Sequence, residues 1–232
     1  MEETPTLILL GEVAGTRQDG SGSTARLRSL ASELDEAYGS ERLGHFDLSE
    51  SGILAGRLTG TADPLVAVLH GALGPGSRPI RWICVRSCPD GHDGKFDVAG
   101  FPGSAAAFEA LKAARAAHEM LVLRTGRSDI DRLLADMTPA LTGMLGDLTA
   151  RQRGVARMAL LEGLRQSEVA QRLGVRRATI SVSFARARIQ SLAALVSAVR
   201  RVFSSAGSAA VEVAPKAGTV AAVAVGPIAP PG

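Results

Sequence analysis

Eleven arginines lie between Leu148 and Phe203, against two acids, Glu162 and Glu168, a local excess of nine positive charges. The first 147 residues carry fourteen basic and twenty acidic side chains, and the whole chain stands at +3. A guanidinium is permanently charged and offers a planar fork of donors to phosphate oxygens. A basic block on an otherwise acidic chain is therefore the footprint of nucleic-acid binding. A solvated three-helix bundle used for protein contact would carry such charge too, but the turn spacing described below favours DNA.

Other chemistry is poorly supported. A two-metal phosphoryl-transfer site needs carboxylates converging on hard cations. Glu12, Asp47 and Glu50 are the candidates, and Glu12 reads better as a solvated acid at a strand end. The stretch Asp19 to Thr24, DGSGST, precedes a helix and could hold a phosphate on backbone amides. It reads better as a loop ending in a Ser/Thr cap, and no Walker lysine follows. Cys84, Cys88 and His92 invite a zinc reading, but a structural site needs four good ligands and no second pair is near. Cys84 reads as a small buried hydrophobe. His45, His70, His92 and His118 are scattered, and none sits in a nucleophile motif. No catalytic residue, metal ligand or cofactor is assigned, and the chain is not expected to be an enzyme.

The basic block has helical periodicity. Val155, Met158, Ala159 and Leu161 form one stripe, which predicts a helix from Thr149 to Glu162 with Thr149 as N-cap and Gly163 as its end. A short helix, Gln166 to Leu173, follows, capped by Ser167 or Gln166, with Val169, Ala170 and Leu173 inward. Gly174-Val175 makes the turn. A third helix begins near Arg177 and runs to about Arg201, burying Ile180, Phe184 and Ala187. Its other side carries Arg176, Arg177, Thr179, Ser181, Ser183 and Arg186. In a helix-turn-helix the second of the paired helices enters the major groove. These six residues, with Arg151 on the supporting helix, are the expected DNA contacts.

The pattern LT-x-RQR, SEVAQRLGV-x-x-ATI and RAR resembles region four of bacterial sigma factors and the related LuxR-type domains. The matching positions are Thr149, Arg151, Glu168, Ala170, Leu173, Gly174, Val175, Thr179, Ile180, Arg186, Ala187 and Arg188. The resemblance implies a helix-turn-helix and, since that domain type also touches the polymerase, RNA polymerase as a second partner.

Ahead of this block the chain alternates. Leu7 to Leu10 is a short apolar run, the mark of a central strand buried on both faces. Thr24 to Tyr38 has a helical stripe of Leu27, Leu30, Ala31 and Leu34. His45 to Leu48 and Ile53 to Leu58 read as a hairpin around Glu50-Ser51-Gly52. Asp63-Pro64 opens a helix to Leu73. Ile80 to Arg86 reads as a strand, and Ser87 to Phe101 as a loop. The order predicts an α+β fold: a ferredoxin-like (βαββαβ) N-terminal domain followed by an all-α helix-turn-helix domain. Ser104 to His118 adds a helix burying Phe108, Leu111 and Ala114, and Met120 to Arg124 a fifth strand. Expected boundaries are 1–126 for the first domain, 127–147 for a helical connector broken near Pro139, 148–203 for the helix-turn-helix, and 204–232 for a disordered Ala/Gly/Pro/Val tail.

Hydrophobic residues make up 46% but aromatics 3%, so the cores must be built from Leu, Val, Ile and Ala. No apolar run approaches a membrane span, the opening MEETPTLILLGE reads as neither signal peptide nor anchor, and two cysteines are too few for a disulfide framework. A cytoplasmic protein with no membrane partner is expected.

The layout as a whole resembles the SatD family of bacterial proteins, which join a domain similar to the nucleotide-cyclase and GGDEF fold to a sigma-like helix-turn-helix. The landmarks are LILLGEVAGTR at 7–17, HFDLSESGILAGRL at 45–58, IRWICVRS at 80–87 and FPGSAAAFEALKAAR at 101–115. The chain departs from that pattern where the family carries an acidic hairpin tip: Ser51-Gly52-Ile53-Leu54 stands there. Glu12 and Gly15 replace the opening acids. The resemblance therefore implies a degenerate, non-catalytic cyclase-like domain. The combined expectation is a transcriptional regulator that binds double-stranded DNA as a homodimer, with an N-terminal domain that dimerises or senses a small-molecule or nucleotide effector. The alternatives are a divergent nucleotide-acting enzyme tethered by the helix-turn-helix, and a sigma-like interaction protein that contacts RNA polymerase.

Overall fold

A computed structural model describes residues 5–15, 20–75, 78–87 and 104–208. Cys88, His92, Asp19, the FPG landmark and the chain beyond 208 lie outside the described residues, so the zinc spacing and most of the tail have no structural counterpart. Two boundaries are corrected: the stretch expected to be a loop up to a cap at Ser23 or Thr24 is already helical from Gly20, and the tail expected to be disordered from 204 is helical as far as Ser208.

Among the described residues the protein is mixed α+β, with a five-stranded sheet and eight α-helices. Strand β1 (Thr6–Val13) is its centre. It pairs antiparallel with β3 (Ile53–Thr59) on one side and β4 (Ile80–Ser87) on the other. The two-residue β2 (Asp47–Leu48) pairs with β3, and β5 (Leu121–Arg124) runs parallel to β4, giving the order β2-β3-β1-β4-β5. With both edges of β1 covered and both faces packed, its apolar run needs no polar alternation.

Period two sorts the strand residues onto two faces. Leu7, Leu9, Leu54, Leu58, Trp82, Cys84, Leu121 and Leu123 point to one face, under helices α1 (Gly20–Tyr38), α2 (Leu65–Leu73) and α4 (Ser128–Gly146). Ile8, Leu10, Ile53, Ala55, Ile83, Val85 and Val122 point to the other, under α3 (Ser104–Ala117), which contributes Ala107, Leu111 and Ala114 and packs Phe108 at the margin. Burial pushes the Cys84 thiol well above its ordinary value, as expected of an inert core residue.

Two glycines make room for the chain's single tryptophan. Gly11 is the register partner of Trp82, and a Cβ there would stand 2.6 Å from its ring. A Cβ on Gly71 of α2 would stand 2.9 Å from the indole nitrogen. The ring thus lies between strand and helix, where neither tolerates a side chain.

The C-terminal helices are α5 (Ala150–Leu160), α6 (Gln166–Arg172), α7 (Arg177–Arg186) and α8 (Ile189–Ser208). One stripe of α8, Ile189, Leu192, Val196, Val199, Phe203 and Ala206, is buried in the same apolar cluster as Ile130, Leu134, Leu141 and Leu145 of α4. Val155, Ala156, Val169, Ala170 and Ile180 belong to it too, so the helices and one sheet face share a continuous core.

Two expectations about these helices are corrected. The connector is not broken at Pro139; α4 runs through it. Pro139 and Ala135, whose carbonyl loses a donor there, are both exposed, so water can serve the orphaned acceptor. The third helix does not run to Arg201. It ends at Ala187, Arg188 takes φ 49°, and α8 departs at 56°. The turn lets Ile180 face the small-helix core while Ile189 and Leu192 enter the core under α4.

Candidate nucleic-acid interface

The local signals that set up the three small helices are read in atoms. Thr149 Oγ1 accepts the Gln152 N–H at 3.3 Å and Gln152 Oε1 accepts the Thr149 N–H at 2.9 Å, a reciprocal capping box. Gly163 (φ 68°) ends this stretch, and Leu164 donates back to the Met158 carbonyl. The cap of α6 is neither Ser167 nor Gln166. The Arg165 N–H is held by Glu168 Oε2 at 2.6 Å, with Arg165 in the N-cap position. Gly174 (φ 63°) then makes the turn, and Val175 donates to the Ala170 carbonyl at 3.0 Å. The left-handed backbone at Gly174 is what reverses the chain between α6 and α7.

Helix α7 buries Ile180 and Ala187, with Phe184 half-buried against the core. Arg176 is its N-cap residue and makes no side-chain cap bond, since a guanidinium has no acceptor to offer the N–H groups at the start of a helix. Arg176, Arg177, Thr179, Ser181 and Arg186 are exposed, as is Arg151 in the first turn of α5. Ser183 departs from the expected open face: it is half-buried, and its hydroxyl donates to the Thr179 carbonyl at 3.0 Å. Four apart on a helix is the spacing at which a serine bonds its own backbone, and Ser183 lies beside Phe184 on the inward half. Leu173, expected inward, is 42% exposed. It sits at the C-cap of α6, where the turn carries it off the stripe.

The period places three further residues at the outermost strip of α7, opposite Ile180 and Phe184: Ala178, Val182 and Ala185. All are exposed, Val182 by half. None is polar, so none belongs to the expected contacts, although the same spacing that marks the buried side marks them. Small apolar groups at such positions suit thymine methyls.

Three of the block's arginines are engaged by carboxylates. Arg157 lies 3.6 Å from Glu33, Arg172 Nη1 is 2.6 Å from Glu162, and Arg200 Nε is 2.5 Å from Asp63. Among the described residues Arg151, Arg176, Arg177 and Arg186 pair with no acid. The positive charge on α7 and the start of α5 is therefore uncompensated, while the acids engage arginines at the seams.

Glu12 corrects a further expectation. It is not a solvated acid but 9% exposed, in ion pairs with Arg81 and Arg115. Glu12 and Arg81 are register partners on β1 and β4, and Arg115 reaches both carboxylate oxygens from the last turn of α3. Burial alone would raise its pKa, but the hydrogen bonds and charges of the two guanidiniums outweigh burial and hold it below the ordinary value. Both carboxylate oxygens face cations. Among the described residues no group of three or more His, Cys, Asp or Glu side chains is placed to hold a metal ion.

No family model matches the chain, so the SatD resemblance finds no support there, and no curated protein matches it. Among solved structures, one titled "Crystal Structure of Regulator of Polyketide Synthase Expression from Bifidobacterium adolescentis" aligns over 85% of this chain and 80% of its own, at 14% identity and a TM-score of 0.27. A likeness of that size fixes neither fold nor function. No single helix among the described residues is long and apolar enough to cross a membrane.

Proposed function

We propose that this chain is a transcriptional regulator that binds double-stranded DNA through α7. The observation that carries the reading is the pairing of a tight Gly174 turn with an outward helix face whose arginines, Arg176, Arg177 and Arg186, meet no carboxylate among the described residues. In that docking Arg176 and Arg177, at the start of α7, reach guanine edges or phosphate, and Thr179, Ser181 and Val182 follow along the groove. Arg186 and Arg151 contact phosphate.

Residues 5–87 are proposed as a ferredoxin-like unit, on the strength of the β1-α1-β2-β3-α2-β4 order and the spatial order β2-β3-β1-β4. It is proposed to be non-catalytic, since Glu12, the acid nearest a cyclase-like position, is neutralised by Arg81 and Arg115. A homodimer is the proposed assembly, because one such reading head makes few base contacts and two half-sites multiply them.

The test is an anisotropy titration of the full chain with a mixed-sequence duplex between about 50 and 200 mM salt. Several phosphate contacts give a steep fall in affinity over that range. Salt-independent binding, or none, would sink the reading in favour of a helix-turn-helix that contacts RNA polymerase.

A further inference from the structure

A pocket of about 170 Å³ opens where α1, α2, the start of β4, α4 and α5 meet. Its apolar lining includes Trp82, Ile80 and Leu145, and its polar lining is dominated by Arg26, Arg78 and Arg153, with no acid among the residues that line it. Guanidiniums around an apolar floor are an unusual composition for a packing defect, because a guanidinium that gives up water needs acceptors in its place.

Arg26 is held in place. Arg26 donates to the carbonyl of Arg78, and to that of Gly71 at 2.8 Å. Burial, and then the charge of Arg153, push the Arg26 guanidinium below its ordinary value. The charges of Arg26 and Arg153 thus oppose one another around the pocket that both line, and among the described residues neither is ion-paired with an acid. An anion between them would remove that repulsion.

The size of the pocket narrows the ligand. A dry cavity of about 150 Å³ accommodates a single benzene ring. We propose that this pocket binds a small organic carboxylate, with an apolar part the size of one ring against Trp82, Ile80 and Leu145 and its carboxylate between Arg26 and Arg153. Inorganic phosphate would meet the arginines but leave the apolar floor uncovered, and a neutral ring would do the reverse. The ligand would tie β4 and α1 of the sheet layer to α5 of the helix-turn-helix, giving chemical content to the sensing role of the regulator reading. The site itself does not depend on DNA binding.

The experiment uses the full chain without DNA, so that its failure and the failure of DNA binding are read separately. Trp82 is the only tryptophan and lines the pocket, so its fluorescence reports occupancy. Benzoate, its neutral isostere benzamide, and inorganic phosphate are titrated into wild type, and benzoate into Arg153→Gln. The expected result is a saturable change with benzoate, and affinity at least tenfold weaker for benzamide, for phosphate and for the variant. No saturable response to benzoate, or benzamide binding as tightly as benzoate, overturns the proposal on wild type alone. Benzoate affinity unchanged in a folded Arg153→Gln overturns it as well.

Discussion

Arg200 Nε donates to Asp63 Oδ2 at 2.5 Å, joining residues 137 positions apart, while the other oxygen of the same carboxylate accepts the Leu65 N–H at 2.9 Å. One side chain thus starts α2 and anchors α8 across it. Removing the carboxylate loses a hydrogen bond to the first residue of α2 worth about 1 kcal/mol and an ion pair, about a third exposed, worth about 0.5 kcal/mol. Asp63→Ala is expected to lower the unfolding free energy by about 1–2 kcal/mol, and Arg200→Ala by less than about 1 kcal/mol. Urea unfolding of both variants checks the order; equal losses would mean that the hydrogen bond to Leu65 contributes nothing.

The Glu12 ion pairs predict a pH dependence. The folded-state pKa lies below the ordinary 4.5, so the network's contribution is fully present above that value and is lost as pH falls through the lower folded pKa. Wild type should lose stability below about pH 4.5 faster than Glu12→Gln, which has no charge to protonate. At neutral pH Glu12→Ala is expected to cost about 3 kcal/mol, because it leaves Arg81 buried without its carboxylate. Urea midpoints at pH 7 and pH 4 measure both. The same protein tests catalysis: ATP or GTP with Mg²⁺ or Mn²⁺ should give no cyclic product, and turnover abolished in a folded Glu12→Ala would restore the enzyme alternative.

Gly11 has no spare room. A Cβ placed 2.6 Å from the Trp82 ring forces either the ring or β1 to move. Overpacking of this kind typically costs about 1–3 kcal/mol. Gly11→Ala should therefore unfold at lower urea with a shifted Trp82 emission, whereas Gly143→Ala, where a Cβ meets open space, should be neutral or stabilising. Comparable behaviour of the two would show that the ring is loosely held.

The homodimer reading predicts a mass near twice 24.0 kDa by light scattering over a micromolar dilution series. The edge strand β5 and the outer side of α3 are the surfaces expected to meet. A monomer both free and on DNA would contradict it.

What the sequence discloses here is local. The apolar run of β1, the stripe of α1, the Thr149 cap and the turns at Gly163 and Gly174 rest on contacts a few residues apart, and each could be read from spacing. The break at Arg188 could not, because no glycine or proline marks it and a non-glycine residue takes the left-handed backbone. Leu173 has the hydrophobicity of a core residue and the position of a turn residue, and position decides. The ion pairs of Glu12 join residues 69 and 103 apart, so an acid that looks solvated in its own segment is buried by partners no local pattern indicates. The pocket arginines belong to the same class: Arg26 and Arg153 meet only once α1 and α5 are folded together.

The central claim, that α7 reads DNA, is tested most directly by titrating wild type, Arg177→Ala and Arg186→Ala against a selected cognate duplex and its scrambled counterpart at several salt concentrations. A base-reading arginine is worth about 1–3 kcal/mol on the cognate site alone, whereas a phosphate arginine weakens all sequences alike and lowers the salt slope by about one unit. The account predicts that Arg177→Ala shrinks the specific-to-nonspecific ratio about tenfold or more, and that Arg186→Ala leaves the ratio unchanged while flattening the salt dependence. Wild-type binding that ignores salt, or two variants indistinguishable from wild type on both duplexes, would contradict it.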